Sequence, residues 1–510
     1  MPGRTRDLPQ AGTAVDRPRS ADMNRPTPHA ERLRPRQART GLVIVLLAVA
    51  LALAASPAAA ELPEPLARVL RTHRLPDSAL SVLVQAVDER QPLLAHNIDT
   101  PRNPASTIKL VTTFVALDTL GPTHRWRTEA YALGPVDNGV LNGDLLLKGY
   151  GDPWLIEEEM WKFAGDLRKR GLRHVRGRLL IDDSHWAPPP RDPGSFDGQP
   201  YRLYNVQPNA MMVNFKAFTF DFIPGASAVR ISSNPTLPNL EIVNRLQLVG
   251  GKCPGVVAAV KLSVPDPANP NRVVFSGNYP ASCGAQSLPR SVMDPASYAY
   301  GMFTRMWGQW NGVIDGGVAR GRKPSGAKPY ATRWSPPLAE VIRPLNKWSN
   351  NVMADALLYA IAARSSAPPL TPAMGAAVVR DWLARHGLPV DGFVMENGSG
   401  LSRVSRISAR TLAGTLLHAY RSPTMPEYLA SLAVSGVDGT MHRRFRSGPE
   451  RGHMHLKTGH LNDVAAVAGY VLAANGRRYV VTLLVNHVTA NHGGGGALID
   501  SLLRWTYQLR

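Results

Sequence analysis

Ser106 and Lys109 stand three residues apart in a run, Ser-Thr-Ile-Lys-Leu-Val, that reads as a buried helix over 106–120. Residues at that spacing share a helix face. A serine is a poor nucleophile until a nearby base takes its proton. A lysine serves as that base only when neutral, and a free lysine is charged at pH 7. Burial and a second nearby cation both lower a lysine pKa. Lys457, in Lys457-Thr458-Gly459, is the candidate second cation. Ser349-Asn350-Asn351, at the start of a further expected helix, is a third string of polar residues. Such a set could transfer an acyl group to serine and then to water, with no metal or cofactor. Each string also has an ordinary reading: a surface Ser–Lys pair, a helix N-cap and a strand glycine.

The elements expected to position these groups are an α/β set. Residues 62–75 read as an amphipathic helix, 79–87 as a strand and 92–96 as its partner. Pro104 precedes the Ser106 helix and Gly121-Pro122 ends it. Ser349 falls at the start of a helix over 348–364, followed by another over 371–386. Lys457 lies on or beside a strand, and Gly459 would let another backbone approach. A peptide could then add along that edge as an extra strand. Residues 464–473 and 479–485 flank Asn475-Gly476, a two-residue hairpin signal. A closing helix is expected over 497–509.

About 240 residues separate the first string from the second, enough for one or two further domains. From about Tyr131 short apolar runs alternate with turn signals, and residues 211–293 are strand-rich. Gly316–Lys328 reads as a Gly-rich return linker. The expected layout is a split α/β domain over 61–130 and 329–510. An insertion occupies 131–210 and 294–328, with a nested subdomain over 211–293.

Residues 1–40 hold nine Arg and four acids, Leu42–Ala55 is apolar, and Ala58-Ala59-Ala60 is a small-residue cleavage site. This pattern reads as a secretory signal over 1–60, cut near Ala60. The charged segment is long, so translation from Met23 and an uncleaved anchor stay open. Removing the segment lowers the formal net charge from +20 to +15. A basic exported chain suits anionic envelope polymers, although a basic surface can also follow genomic composition. Export and the absence of a basic aromatic helix argue against nucleic acid. Cys253 and Cys283 fit one disulfide in an oxidising compartment, with two buried thiols as the alternative.

Taken together, Ser106-Thr107-Ile108-Lys109, Ser349-Asn350-Asn351 and Lys457-Thr458-Gly459 match the S-x-x-K, S-x-N, K-T-G order of penicillin-interacting serine enzymes. The chain resembles the D-alanyl-D-alanine carboxypeptidase/endopeptidase family of low-molecular-mass penicillin-binding proteins with a large insertion. Glu396-Asn397-Gly398-Ser399-Gly400-Leu401-Ser402-Arg403, Gly436-Val437-Asp438-Gly439-Thr440 and Tyr204-Asn205-Val206-Gln207-Pro208 are similar to further family strings. The resemblance implies a β-lactamase/transpeptidase-like domain, an antiparallel sheet flanked by helices. It implies Ser106 as acylated nucleophile, Lys109 as its base, and Ser349 and Asn351 as relay and amide contacts. Lys457 would supply charge and Thr458 would bind the terminal carboxylate. The backbone N–H groups of Ser106 and His460 would form the oxyanion hole, and Arg403 would recognise a side-chain carboxylate. His460 departs from the usual Ser or Thr.

The implied substrates are peptidoglycan stem peptides ending in D-Ala-D-Ala, with β-lactams as covalent inhibitors. Neither the oligomeric state nor the balance of carboxypeptidase and endopeptidase action follows from these residues. A β-lactamase of the same fold is a second reading, but compact β-lactamases lack so long an insertion. A non-catalytic wall-binding protein is a third, and the intact strings argue against it. His492 followed by four glycines resembles a lipase oxyanion loop, yet no G-x-S-x-G elbow accompanies it.

Overall fold

The computed structural model describes residues 61–266 and 269–510. The expected export segment, 1–60, lies outside the described residues. A six-stranded antiparallel sheet forms the centre of the split domain. Its strands are β1 (Leu80–Ala86), β2 (Leu94–His96), β3 (Ala433–Val434), β4 (Met454–Leu461), β5 (Val464–Leu472) and β6 (Arg478–Asn486). Their spatial order is β3-β4-β5-β6-β1-β2. Successive strand side chains point to opposite faces. Thus Val82, Val84, Val481, Leu483 and Val467 pack on one side, while Leu83, Val480, Leu484, Ala466 and Ala468 pack on the other. Both faces are covered, which explains why β1 and β6 read as apolar runs without polar alternation.

The helices that matter for the site are α1 (Glu64–His73), α2 (Lys109–Leu120), α3 (Leu338–Trp348), α4 (Asn351–Ala362) and α5 (Gly494–Tyr507). Leu66 and Leu70 of α1 and Leu498, Ile499, Leu502 and Leu503 of α5 cover one face. The core on the other face is built around α2 and α4. Helix α2 is buried from Lys109 to Leu117, as expected of a helix apolar on every side. Helix α3 was not expected from the sequence, because Pro344 stands inside it and proline normally ends a helix. Of the glycines after His492, Gly493 stands at the N-cap of α5 and the other three form its first turn. A Cβ on Gly495 would lie 2.4 Å from Ala465 Cβ, so the small residue lets α5 sit directly on β5.

The inserted region has its own sheets and core. A five-stranded mixed sheet orders Val318–Arg320, Leu179–Asp182, Asp144–Gly149, Arg127–Leu133 and Ala331–Trp334. Its membership extends a few residues beyond the expected limits of 131 and 328. The expected return linker also contributes the strand Val318–Arg320, parallel to Leu179–Ile181. Helices Glu157–Lys169 and Pro295–Gln309 connect parallel strands, as βαβ units require. Residues 218–290 form two three-stranded sheets around Phe220, Phe222, Phe275 and Tyr279. Cys253 and Cys283 are disulfide-bonded there.

Candidate active site

Ser106 sits in a single 3-10 turn, Ala105–Ile108, and α2 begins at Lys109. Residues three apart eclipse one another in a 3-10 turn. Lys109 Nζ accordingly lies 3.0 Å from Ser106 Oγ. Ala105, just before the serine, has φ +45°, a sparsely populated region for a residue with a side chain. Asn103 holds this turn: its Oδ1 accepts from Ala105 N at 2.9 Å, and Asn486 Oδ1 accepts from Asn103 N at 2.7 Å. Gly400, at φ +78°, packs so closely that a Cβ there would lie 2.0 Å from Ala105 O.

Lys109 is fully buried. Besides Ser106 it reaches Asn351 Oδ1 at 2.7 Å and the Ser399 carbonyl at 2.5 Å. Both of those oxygens only accept hydrogen bonds. A neutral Lys109 must spend its two N–H groups on them, which leaves its lone pair for the one partner able to donate, Ser106. Burial lowers the Lys109 pKa to about 7, against an upward pull from Asp355.

Lys457 on β4 is also fully buried. It donates to Ser349 Oγ at 2.8 Å and to its neighbour's carbonyl, Thr458 O, at 2.7 Å. Burial, and then the charge of Lys109, push its pKa well below the ordinary lysine value. Ser349 and Asn351 reach the site because neither side chain is used to cap a helix. Ser349 closes α3 in a left-handed conformation, φ +59°. Asn350 caps α4, its side chain accepting from Met353 N. The two flanking side chains are thereby freed to meet the two lysines.

Strand β4 runs beside the serine turn. A Cβ on Gly459 would lie 2.7 Å from Pro104 O and 3.1 Å from Ser106 N, so only glycine fits at that distance. The outer edge of β4 is paired with β3 only at His455 and Leu456. From Lys457 onward that edge carries no partner strand among the described residues. Thr458 Oγ1 lies on this stretch, donating to Thr440 Oγ1 at 3.0 Å. His460 follows, with its side chain exposed.

The description "D-Ala-D-Ala carboxypeptidase 3 (S13) family" belongs to a family model that matches residues 62–506. The chain belongs to that family. A D-alanyl-D-alanine carboxypeptidase of Actinomadura sp. (strain R39) is 30% identical over 92% of this chain and 91% of its own. The D-alanyl-D-alanine carboxypeptidase DacB of Haemophilus influenzae is 24% identical, over 81% and 87%. A crystal structure of penicillin binding protein 4 (dacB) from Haemophilus influenzae matches with a TM-score of 0.74 at 22% identity. It covers 87% of this chain and 99% of that one. A second structure of that protein, complexed with a β-lactam, gives a TM-score of 0.71 over 88% and 100%. The fold is thus the β-lactamase/transpeptidase type with inserted domains.

Within this S13 chain the five residues gather around two buried lysines: Lys109 binds Ser106 and Asn351, Lys457 binds Ser349, and the charge of Lys109 is felt at Lys457. Arg403 stands apart from it, exposed, with Nη1 3.1 Å from Asp463 Oδ1 and its guanidinium 4.2 Å from the Phe196 ring. Sequence reasoning gave no role to Ser399, Thr440, Tyr204 or Asp355. Tyr204, from the insertion, accepts at its carbonyl from Asn351 Nδ2 at 3.0 Å. Contacts made through backbone oxygens leave no trace in residue type. Asp355 did leave one: it is a carboxyl in the otherwise apolar Ala354–Ala362 stretch of α4. Lys347 was also missed. It is buried, and its Nζ lies 2.6 Å from Asp438 Oδ2, anchoring the turn that carries Thr440.

Proposed function

We propose that this S13 chain is a serine DD-peptidase in which Ser106 attacks the carbonyl between the last two D-alanines of a peptidoglycan stem peptide. The observation that carries this reading is the Lys109 geometry, with two pure acceptors and one hydroxyl around a buried amine. Lys109 takes the Ser106 proton as the C–O bond forms. The oxyanion is held by the Ser106 and His460 N–H groups. The proton taken by Lys109 passes by way of Ser349 and Lys457 to the departing D-alanine amine, which returns Lys109 to its neutral form. Water then cleaves the ester, with Lys109 again as base.

Substrate lies along the open edge of β4 as an added strand. Its terminal carboxylate meets Thr458 and the positive charge of Lys457. Arg403, beside the insertion residue Phe196, meets a carboxylate further back on the stem. A β-lactam enters by the same path, and its ester persists because the amine stays tethered. Cleavage of cross-links uses the same acyl half and differs only in the leaving amine. The strand-rich insertion, from 127 to 334 by sheet membership, shapes the cleft through Tyr204. Export by residues 1–60 would place the protein beside the wall. No described helix is long and apolar enough to cross a membrane.

Incubation of the mature protein with a fluorescent penicillin, and separately with a diacetyl-Lys-D-Ala-D-Ala peptide, tests this function. A persistent covalent label and D-alanine release are expected, both lost in Ser106→Ala. Absence of both label and release would overturn the enzyme assignment, and rapid turnover of the label would favour a β-lactamase.

A further inference from the structure

One charged group beside the site has no part in the steps above. Asp355 lies on α4 one helical turn beyond Asn351, so the two share a face. The residue is partly buried. Its Oδ1 is out of contact with solvent and has no hydrogen-bond partner. An unpaired buried carboxylate oxygen is costly, and its retention here asks for an explanation.

Asp355 lines a cavity of about 90 Å³ together with Arg191, Tyr204, Tyr359, Asn397 and Ser399. That volume is enough for several waters. Ser399 connects the carboxylate to the lysine. Its carbonyl accepts from Lys109 Nζ at 2.5 Å. Its hydroxyl and N–H donate to Asn397 Oδ1 at 3.0 and 3.2 Å; burial raises the Asp355 carboxyl to about 6, and the charge of Lys109 and then these Ser399 donors pull it back toward the charged form.

We propose that Asp355 is a positioning residue for Lys109: its carboxylate, held across Ser399 and the cavity, sets the pH at which Lys109 becomes able to take the serine proton. That role depends on Lys109 serving Ser106 as its base. The charged groups around the pair are few. Lys109 faces Asp355 from α4 and Lys457 from β4. Asp355 faces Lys109, Arg191 from the insertion and Tyr359 one turn along, and Glu396 lines the same cavity.

The sign is fixed by charge. A nearby carboxylate favours the ammonium form, so its removal makes Lys109 neutral at lower pH. In Asp355→Asn the acid limb of the penicillin acylation rate should move down by about one pH unit, the lower end for an opposite charge at close range. Above the limb the rate should stay within about threefold of wild type, which separates charge tuning from structural damage. Ser399→Ala keeps the carbonyl on Lys109 and removes a donor that keeps Asp355 charged. It should move the limb in the same direction, and it carries the test if Asp355→Asn does not fold.

Wild-type labelling that depends on Ser106, with an acid limb, establishes the base. Against that background, an unmoved limb in the variants, or an equal fall in rate at every pH, overturns the role of Asp355 alone. Absence of any label in wild type would instead overturn the peptidase itself.

Discussion

The pH dependence of acylation follows from where Lys109 sits. A free lysine titrates near 10.5, so about one molecule in 3,000 is neutral at pH 7. Burial brings Lys109 to about 7, which makes about half of the molecules competent at neutral pH. The difference corresponds to about 5 kcal/mol of favour for the neutral form. Only the neutral form can accept the serine proton, so the rate rises as pH rises through the folded value. The second-order rate of labelling by a fluorescent penicillin, measured from pH 5.5 to 9, should fall about tenfold per unit on the acid side, with a midpoint near pH 7. The same burial has a thermodynamic counterpart. The folded pKa lies below the unfolded one, so the unfolded chain binds more protons between about pH 7 and 10.5, and this group's contribution to stability rises with pH across that window. Lys109→Met removes a desolvated amine of similar length. It should abolish labelling. A labelling rate with its midpoint above about pH 9 would refute a depressed Lys109, because an ordinary lysine titrates there.

Other consequences are as direct. Gly459→Ala places a methyl 2.7 Å from Pro104 O; β4 must retreat from Ser106, and acylation should slow by about 100-fold if displacement approaches 1 Å. Thr458→Val removes a hydroxyl beside the proposed carboxylate position, so kcat/KM for the D-Ala-D-Ala peptide should fall at least about tenfold, as loss of one hydrogen bond to a charged group implies. Replacing both Cys253 and Cys283 by Ser opens a loop of 30 residues and should cost the inserted region about 3–4 kcal/mol. The cysteines are remote in sequence from every residue of the Ser106 cluster, so the remaining folded protein should still label, and urea titration with labelling at each step distinguishes the two effects.

Much of the catalytic frame was readable in the chain because apolar periodicity dominates there. The run 79–87 and the Asn475-Gly476 hairpin specify strands that are buried on both faces. Helix α3 was hidden by Pro344, since local propensity predicts a break where packing of Val341, Ile342 and Leu345 retains the helix. The strings at 106, 349 and 457 identified the cluster, while its working detail came from conformation. The 3-10 turn at Ser106, the left-handed Ser349 and the division of capping to Asn350 depend on neighbours distant in sequence. The insertion showed its strands but not its pairing, because register between short strands is fixed by contacts across the core.

Ser106 is the residue expected to carry the acyl group. Intact-mass measurement of the protein after exposure to a penicillin, followed by peptide mapping, tests it most directly. One adduct per chain, equal in mass to the intact penicillin and located on the peptide containing Ser106, is the expected result. An adduct on another residue, or an unmodified protein after prolonged exposure above pH 7, would contradict it.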